Sequence, residues 1–208
     1  MEEQRNIGVR IGYDGTDFCG WQIQGHGRTV QGEVEKALER LHRHTVKITA
    51  AGRTDSGVHA RGQAGNFYSD LHSIPEDKFA SALNSLLPRD VRIYHSRRVS
   101  RYFHATRDAN ERCYRYYLYS GRYADPLLDR YRLRVASLPP IDELNRMASM
   151  LVGTHDFTSL ASPKHEKSMV RTVYQAGFFP DQHGLVFEIS GAGFLWKMVR
   201  TVIGTMLA

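Results

Sequence analysis

Apolar residues at Ile7, Val9, Ile11 and Tyr13 alternate with Gly8, Arg10 and Gly12, the two-residue period of a strand with one buried face. Asp14-Gly15-Thr16 interrupts it. From Val30 the period changes. Val30, Val34, Ala37, Leu38 and Leu41 recur at spacings of three and four, which lays them along one side of a helix, with Thr29 placed to cap its first turn. A short strand over Val46 to Ala51 leads into a glycine-flanked loop, and Gln63 to Ser69 reads as strand again. Ser73-Ile74-Pro75-Glu76 has the spacing of a capping box, with Phe79, Leu83 and Leu86 continuing a helix that Pro88 stops. Val91 to Val99 predicts a further strand. Strand, helix, strand, strand, helix, strand is the order of a split βαβ, ferredoxin-like unit, with helices on one face of an antiparallel sheet and the other face free.

The second half follows the same template. Arg112 to Tyr119 alternates as a strand, and Ile141, Leu144, Met147, Ala148 and Leu151 mark a helix. Val170 to Phe179 and Leu185 to Ser190 predict a strand pair around Pro180-Asp181-Gln182-His183-Gly184, and Phe194 to Leu207 a last helix. The predicted fold class is α+β, with two ferredoxin-like halves, residues 1–104 and 105–208, forming one continuous, mainly antiparallel sheet with helices on one face. A charged linker over about 100–111 joins the halves. The second half ends one strand early, so the expectation is a chain truncated or unusually short at its C-terminus.

Charge adds a partner to this scaffold. The 208 residues carry a formal charge of +6, and the excess is local: twelve arginines, no lysine and five acids lie between Arg89 and Arg134. Arginine offers planar donor forks to phosphates and a flat face to bases, and Tyr94, Tyr102, Phe103, Tyr114, Tyr116, Tyr117, Tyr119 and Tyr123 are interleaved with them. Nucleic acid is the favoured partner; a solvated basic face over core tyrosines is the other reading. Cys19 and Cys113 match no metal spacing and argue against a disulfide framework. With a polar N-terminus and no apolar run of spanning length, the expectation is a soluble, cytoplasmic protein without a membrane partner.

The candidate chemistry sits in Gly52-Arg53-Thr54-Asp55-Ser56-Gly57-Val58-His59. Glycines at both ends predict a tight exposed loop. An aspartate two residues from an arginine there is either a turn residue capping local N–H groups or a catalytic carboxylate in a cationic site. No phosphate-cradling G-x-x-x-x-G-K-[ST], no G-x-S-x-G elbow, no H-E-x-x-H and no C-x-x-C occurs, leaving metal-free carboxylate chemistry as the reading.

That octet resembles the G-R-T-D-x-G-V-H signature of the TruA family of tRNA pseudouridine synthases. Further blocks resemble the family in its order: Tyr13-Asp14-Gly15 with Gly20-Trp21-Gln22, Val30-Gln31-Gly32 with Glu35-Lys36-Ala37-Leu38, Phe103-His104-Ala105, the Tyr114/Tyr116 pair, Asp156-Phe157-Thr158-Ser159, and Met198-Val199-Arg200. The resemblance implies isomerisation of uridine to pseudouridine in the tRNA anticodon stem-loop by a homodimer. It implies Asp55 as catalytic nucleophile, Arg200 as the cation that pairs with it, Arg53 as the residue that displaces the target nucleotide, and Tyr114 as the ring that stacks on the uracil. His59 belongs to the motif but is read as a structural hydrogen-bond partner. Cys113, where relatives commonly carry Arg, and Trp196-Lys197, where a polar pair is usual, depart from the pattern. Two rival classes stay open: an RNA-binding or chaperone module without turnover, and a carboxylate-dependent glycosidase, which would want a second acid opposite Asp55.

Overall fold

The computed structural model describes residues 4–162 and 168–208, so the first three residues of the polar N-terminus lie outside it. The chain divides into two compact units, Met1–Ala109 and Asn110–Ala208. The architecture is mixed α/β, with one sheet and its own apolar core in each unit.

In the first unit the strands are β1 (Arg5–Tyr13), β2 (Thr49–Ala50), β3 (Ala60–Ser69) and β4 (Val91–Arg98), and the helices are α1 (Val30–His42) and α2 (Phe79–Asn84). The sheet order is β2-β3-β1-β4, every pairing antiparallel. Ile7, Val9, Ile11 and Tyr13 point into the core and meet Val30, Val34, Ala37 and Leu38 of α1, as the two periods predict. Thr29 caps α1 by accepting from the Gly32 N–H at 3.2 Å. Glu35, buried on the same helix, accepts from the Gln31 amide, the Lys47 ammonium and the Ile48 N–H, so its burial is satisfied by three donors. The capping box at Ser73–Glu76 does not form. Pro75 precedes a 3-10 turn (Glu76–Lys78) without a side-chain cap, and Glu76 pairs with Arg5 at 2.9 Å instead. The strand expected over Val46 to Ala51 shrinks to two paired residues, because β2 meets β3 only at Thr49 and Ala50.

The far face of this sheet is not wholly free. Asn6 and Asn66, buried on adjacent strands, hold a strap of chain against it. The Asn66 amide donates to Asn6 Oδ1 at 3.0 Å, the Asn6 amide donates to the Ser100 and Phe103 carbonyls, and the Ala105 N–H donates to Asn66 Oδ1. Thr106 closes the strap by donating to the Ala50 carbonyl. Residues 100–106, expected as a linker, are therefore folded onto the first sheet, and Ala105 is buried.

In the second unit the strands are β5 (Arg112–Ser120), β6 (Leu133–Val135), β7 (Gly153–Asp156), β8 (Val170–Asp181) and β9 (Gly184–Gly191), with helices α3 (Ile141–Ser149) and α4 (Met198–Met206). The order is β6-β5-β9-β8-β7, and β5 pairs with β6 in parallel. β6 and β7 are additions to the expected elements: one is three residues long and the other reads Gly-Thr-His-Asp, so neither carries an apolar period. The predicted five-residue turn is shorter, with the strands running to Asp181 and from Gly184. Leu118, Phe187, Ile189, Phe178, Leu144, Val202 and Ile203 form the core. No helix among the described residues is long and apolar enough to cross a membrane.

Candidate functional site

The motif loop leaves β2 and enters β3, and its shape is set by main-chain contacts. Val58 N–H donates to the Asp55 carbonyl at 3.2 Å, closing a turn whose third residue, Gly57, has φ of +79°, a conformation open to glycine. A second segment, residues 13–21, lies against this turn. Trp21 N–H donates to the Thr54 carbonyl at 3.0 Å, and both Gly57 N–H and the Ser56 hydroxyl donate to the Phe18 carbonyl. Tyr13 Oη lies 2.8 Å from Thr54 Oγ1. The Gly15 N–H donates to His59 Nδ1 at 3.0 Å, so His59 serves as the structural partner expected of it. The two segments approach so closely that side chains are excluded: a Cβ on Gly15 would stand 2.0 Å from the Val58 carbonyl oxygen, and one on Gly20, at φ +92°, 2.6 Å from that of Thr54. The Tyr13-Asp14-Gly15 and Gly20-Trp21 blocks are thus the cradle of the loop.

The cradle is itself anchored. Arg28 makes a two-pronged bond to Asp90 at 2.6 and 3.0 Å, and its guanidinium covers the Phe18 ring at 4.2 Å. Asp14 N–H donates to the Asp90 carbonyl, and the loop's entry is fastened by Gln63, which donates to the Gly52 carbonyl. On this mount the Asp55 side chain is half-buried and the Arg53 side chain exposed. Among the described residues of its own unit no side chain or N–H group donates to the Asp55 carboxylate, so the turn-capping reading of Asp55 has no bond to support it.

The second unit carries the other two predicted residues. Tyr114 lies on β5 opposite Ile189, half-buried, and its ring meets Phe194 edge-on with centroids 5.2 Å apart. Phe194 stands at the start of a predicted helix, but the helix begins at Met198, after Lys197 in a left-handed conformation with φ of +62°. That break frees Phe194 to turn onto Tyr114, a contact the helical period concealed. The Lys197 ammonium rests over the Trp196 ring at 4.3 Å. Arg200 is exposed in the first turn of α4, which has no side-chain cap. A cation there opposes the helix dipole, and the pair of them favours an anion nearby.

The arginine-rich window is partly structural. Arg132 forms a two-pronged pair with Asp181 and covers Tyr117, and this pairing holds the Asp181 carboxyl below its ordinary range. Arg115 is paired with Glu188, and Arg92 donates to the Pro88 and Val91 carbonyls. Arg89, Arg97, Arg98, Arg101, Arg122 and Arg130 remain exposed. Among the described residues no three His, Cys, Asp or Glu side chains gather as a metal-ligand set.

Comparison with known proteins agrees with the motifs. A family model described as tRNA pseudouridine synthase matches residues 11–107 and 147–208. The chain is 43% identical to the tRNA pseudouridine synthase A of Treponema denticola, the match covering 99% of this chain and 79% of that protein. It is 42% identical to that of Halalkalibacterium halodurans, covering 98% and 78%, and 44% identical to that of Bacillus licheniformis, covering 95% and 81%. With its glycine-cradled motif loop and a match over most of its length, this chain belongs to the tRNA pseudouridine synthase family.

Proposed function

We propose that this protein isomerises uridine to pseudouridine in the anticodon stem-loop of tRNA, with Asp55 as the nucleophile. The observation that carries the proposal is the mounting of Asp55: a half-buried carboxylate on a loop fixed by main-chain bonds and by the glycine contacts at Gly15 and Gly20. A nucleophile held by backbone rather than by its own hydrogen bonds keeps its oxygens available. In the reaction the N1–C1′ bond breaks, the uracil turns and C5 bonds to C1′. The C5 proton then leaves to solvent and N1 gains one, so substrate and product are isomers. A uridine stacked in a stem must leave it before any side chain reaches it, and Arg53, exposed two residues from Asp55, is suited to hold the displaced strand by its phosphates.

Tyr114 is the stacking surface for the uracil and Arg200 the cation that keeps Asp55 ionised in the closed site. Both belong to the second unit, so their meeting with Asp55 is part of the proposal. The finer fold reading goes with it: two ferredoxin-like halves whose sheets continue into one another, supported in the first unit by the element order and by the strand order β2-β3-β1-β4. A cytoplasmic homodimer acting without cofactor completes the reading.

The test is tRNA labelled with tritium at uridine C5. Tritium release without free uracil supports the synthase, and free uracil would make the protein a glycosidase instead. Binding with neither signal would leave an RNA-binding module.

A further inference from the structure

We propose that Arg10 and Tyr94 form an RNA-contact platform beside the motif loop, one that seats an unpaired nucleotide next to the target, with its base on the Tyr94 ring and its phosphate on Arg10. This rests on the reading of the protein as an enzyme of tRNA, and adds to it residues outside every motif block.

Two irregularities of the first sheet build the platform. Along the β1–β4 pairing, Arg10 faces His95 and Ile11 faces Ile93, so Tyr94 is the extra residue of a bulge. Along β1–β3, Ile11 faces Gln63 and Tyr13 faces Ala60, which places Gly12 against a second bulge at Arg61 and Gly62. A bulge re-aims the side chains around it, and these two flank the end of β1 that runs into the loop's cradle. The glycines then serve as floors. A Cβ on Gly12 would meet the Tyr94 hydroxyl at 2.3 Å and the ring carbons beside it at 2.5 and 2.6 Å, and one on Gly62 would meet the Arg10 guanidinium at 2.6 to 3.2 Å. Tyr94 therefore reaches across Gly12 and Arg10 across Gly62, on neighbouring strands.

Both side chains are open to solvent: Tyr94 is 52% exposed, and Arg10 is exposed on a strand otherwise buried. Among the described residues no hydrogen bond or ion pair engages either head group. A flat ring and a flat cation side by side, on a protein with a formal charge of +6, fit the alternation of base and phosphate in a single strand. Gly62 follows the motif by three residues, so the nucleotide seated there is one flanking the uridine that Asp55 receives.

Binding of a fluorescent anticodon stem-loop RNA is measured by anisotropy across salt concentrations, in the full chain carrying Asp55→Ala so that turnover plays no part. Tyr94→Ala weakens binding about tenfold with an unchanged salt slope, while Tyr94→Phe binds as the parent does. Arg10→Ala weakens binding and lowers the slope of log Kd against log salt by about one. In the active enzyme the same losses fall on KM. Both side chains are exposed, so the variants keep the parent's melting temperature. If Tyr94→Ala and Arg10→Ala bind as the parent does at every salt concentration, the platform carries no RNA. An active-site failure reads differently: the parent would bind RNA and release no tritium.

Discussion

The loop that presents Asp55 and the segment that presents Tyr114 and Arg200 are held in place by different means. The first is pinned by main-chain hydrogen bonds to a neighbouring segment, by side-chain bonds of Thr54, Ser56 and His59 to the same segment, and by two glycines that admit no side chain. The second depends on side chains: an aromatic edge contact for Tyr114, and for Arg200 an exposed position in an uncapped first turn. Geometry fixed by backbone tolerates little change at the glycines and much at its exposed side chains. Geometry fixed by packing softens gradually as the packing is trimmed. An enzyme that must admit, turn and release a base is well served by one of each, a rigid mount and an adaptable one.

The largest expected effect is at Asp55, the proposed nucleophile. Asp55→Ala lowers tritium release by at least about a thousandfold while leaving the melting temperature unchanged, since no bond of the loop uses its carboxylate. A variant that turns over at the parental rate would remove Asp55 from the mechanism.

Next comes the rigidity of the cradle. Gly20→Ala places a Cβ 2.6 Å from the Thr54 carbonyl in a left-handed backbone, shifting the loop and costing about 100-fold in kcat. Gly52→Ala, where nothing lies within 4 Å, serves as the control and stays near the parent. Equal effects from the two would mean that the loop is not held by backbone contact.

On the adaptable side, Phe194→Ala removes the ring against Tyr114, a contact worth about 1 kcal/mol beyond its burial, and lowers kcat/KM roughly tenfold. Phe194→Leu keeps an apolar branched side chain there and recovers part of the loss. A Phe194→Ala loss as steep as that of Gly20→Ala would erase the distinction between the two regions.

Acid separates the units more gently. Burial pushes the His42 imidazole below its ordinary value near 6.5 in the first unit, with Nε2 against the Ser69 hydroxyl and Nδ1 against the Leu38 carbonyl. The unfolded chain binds that proton more readily, so the stability His42 confers is complete above about pH 6.5 and falls as pH drops below it. His44, raised by its bond to Asp70 at the same edge, has the opposite sign, its share being full below its ordinary value and fading as pH rises. In the second unit Asp181, lowered by Arg132, keeps its contribution until pH falls below about 3.9. Urea unfolding at pH 7.5 and 5.5 should show a smaller pH-dependent loss in His42→Gln than in the parent, and an unaltered one in Asp181→Asn. Identical losses in all three would discard His42 as the source.

What was readable in the sequence follows the strength of each period. β1 and α1 were legible because Ile7, Val9, Ile11 and Tyr13, and Val30, Val34, Ala37 and Leu38, recur at the right spacing, and Thr29 supplies a cap that forms as drawn. β6 and β7 were not, because Leu-Arg-Val is too short to establish a period, Gly-Thr-His-Asp has none, and both gain their strand character from partners elsewhere in the chain. The motif loop was legible as a glycine-flanked turn, yet what holds it was hidden. Gly15 and Gly20 look like ordinary turn residues until the carbonyls they must clear are in view. Phe194 was hidden for a related reason, since a left-handed residue at Lys197 interrupts a period that looks helical from Phe194 onward. Arg132, Arg115 and Arg92 read as nucleic-acid surface in composition while their side chains are spent on Asp181, Glu188 and carbonyls, which only the third dimension reveals.

The asparagine pair behind the first sheet has a consequence for motion. The strap over residues 100–106 is fastened by Asn6 and Asn66 from two central strands, with the Ala105 amide buried among them. Peeling the strap away would strand those amides without partners, so it does not fray as a surface segment does. The Ala105 amide proton should therefore exchange with solvent only when the whole sheet opens, making this apparent connector one of the slowest-exchanging parts of the first unit.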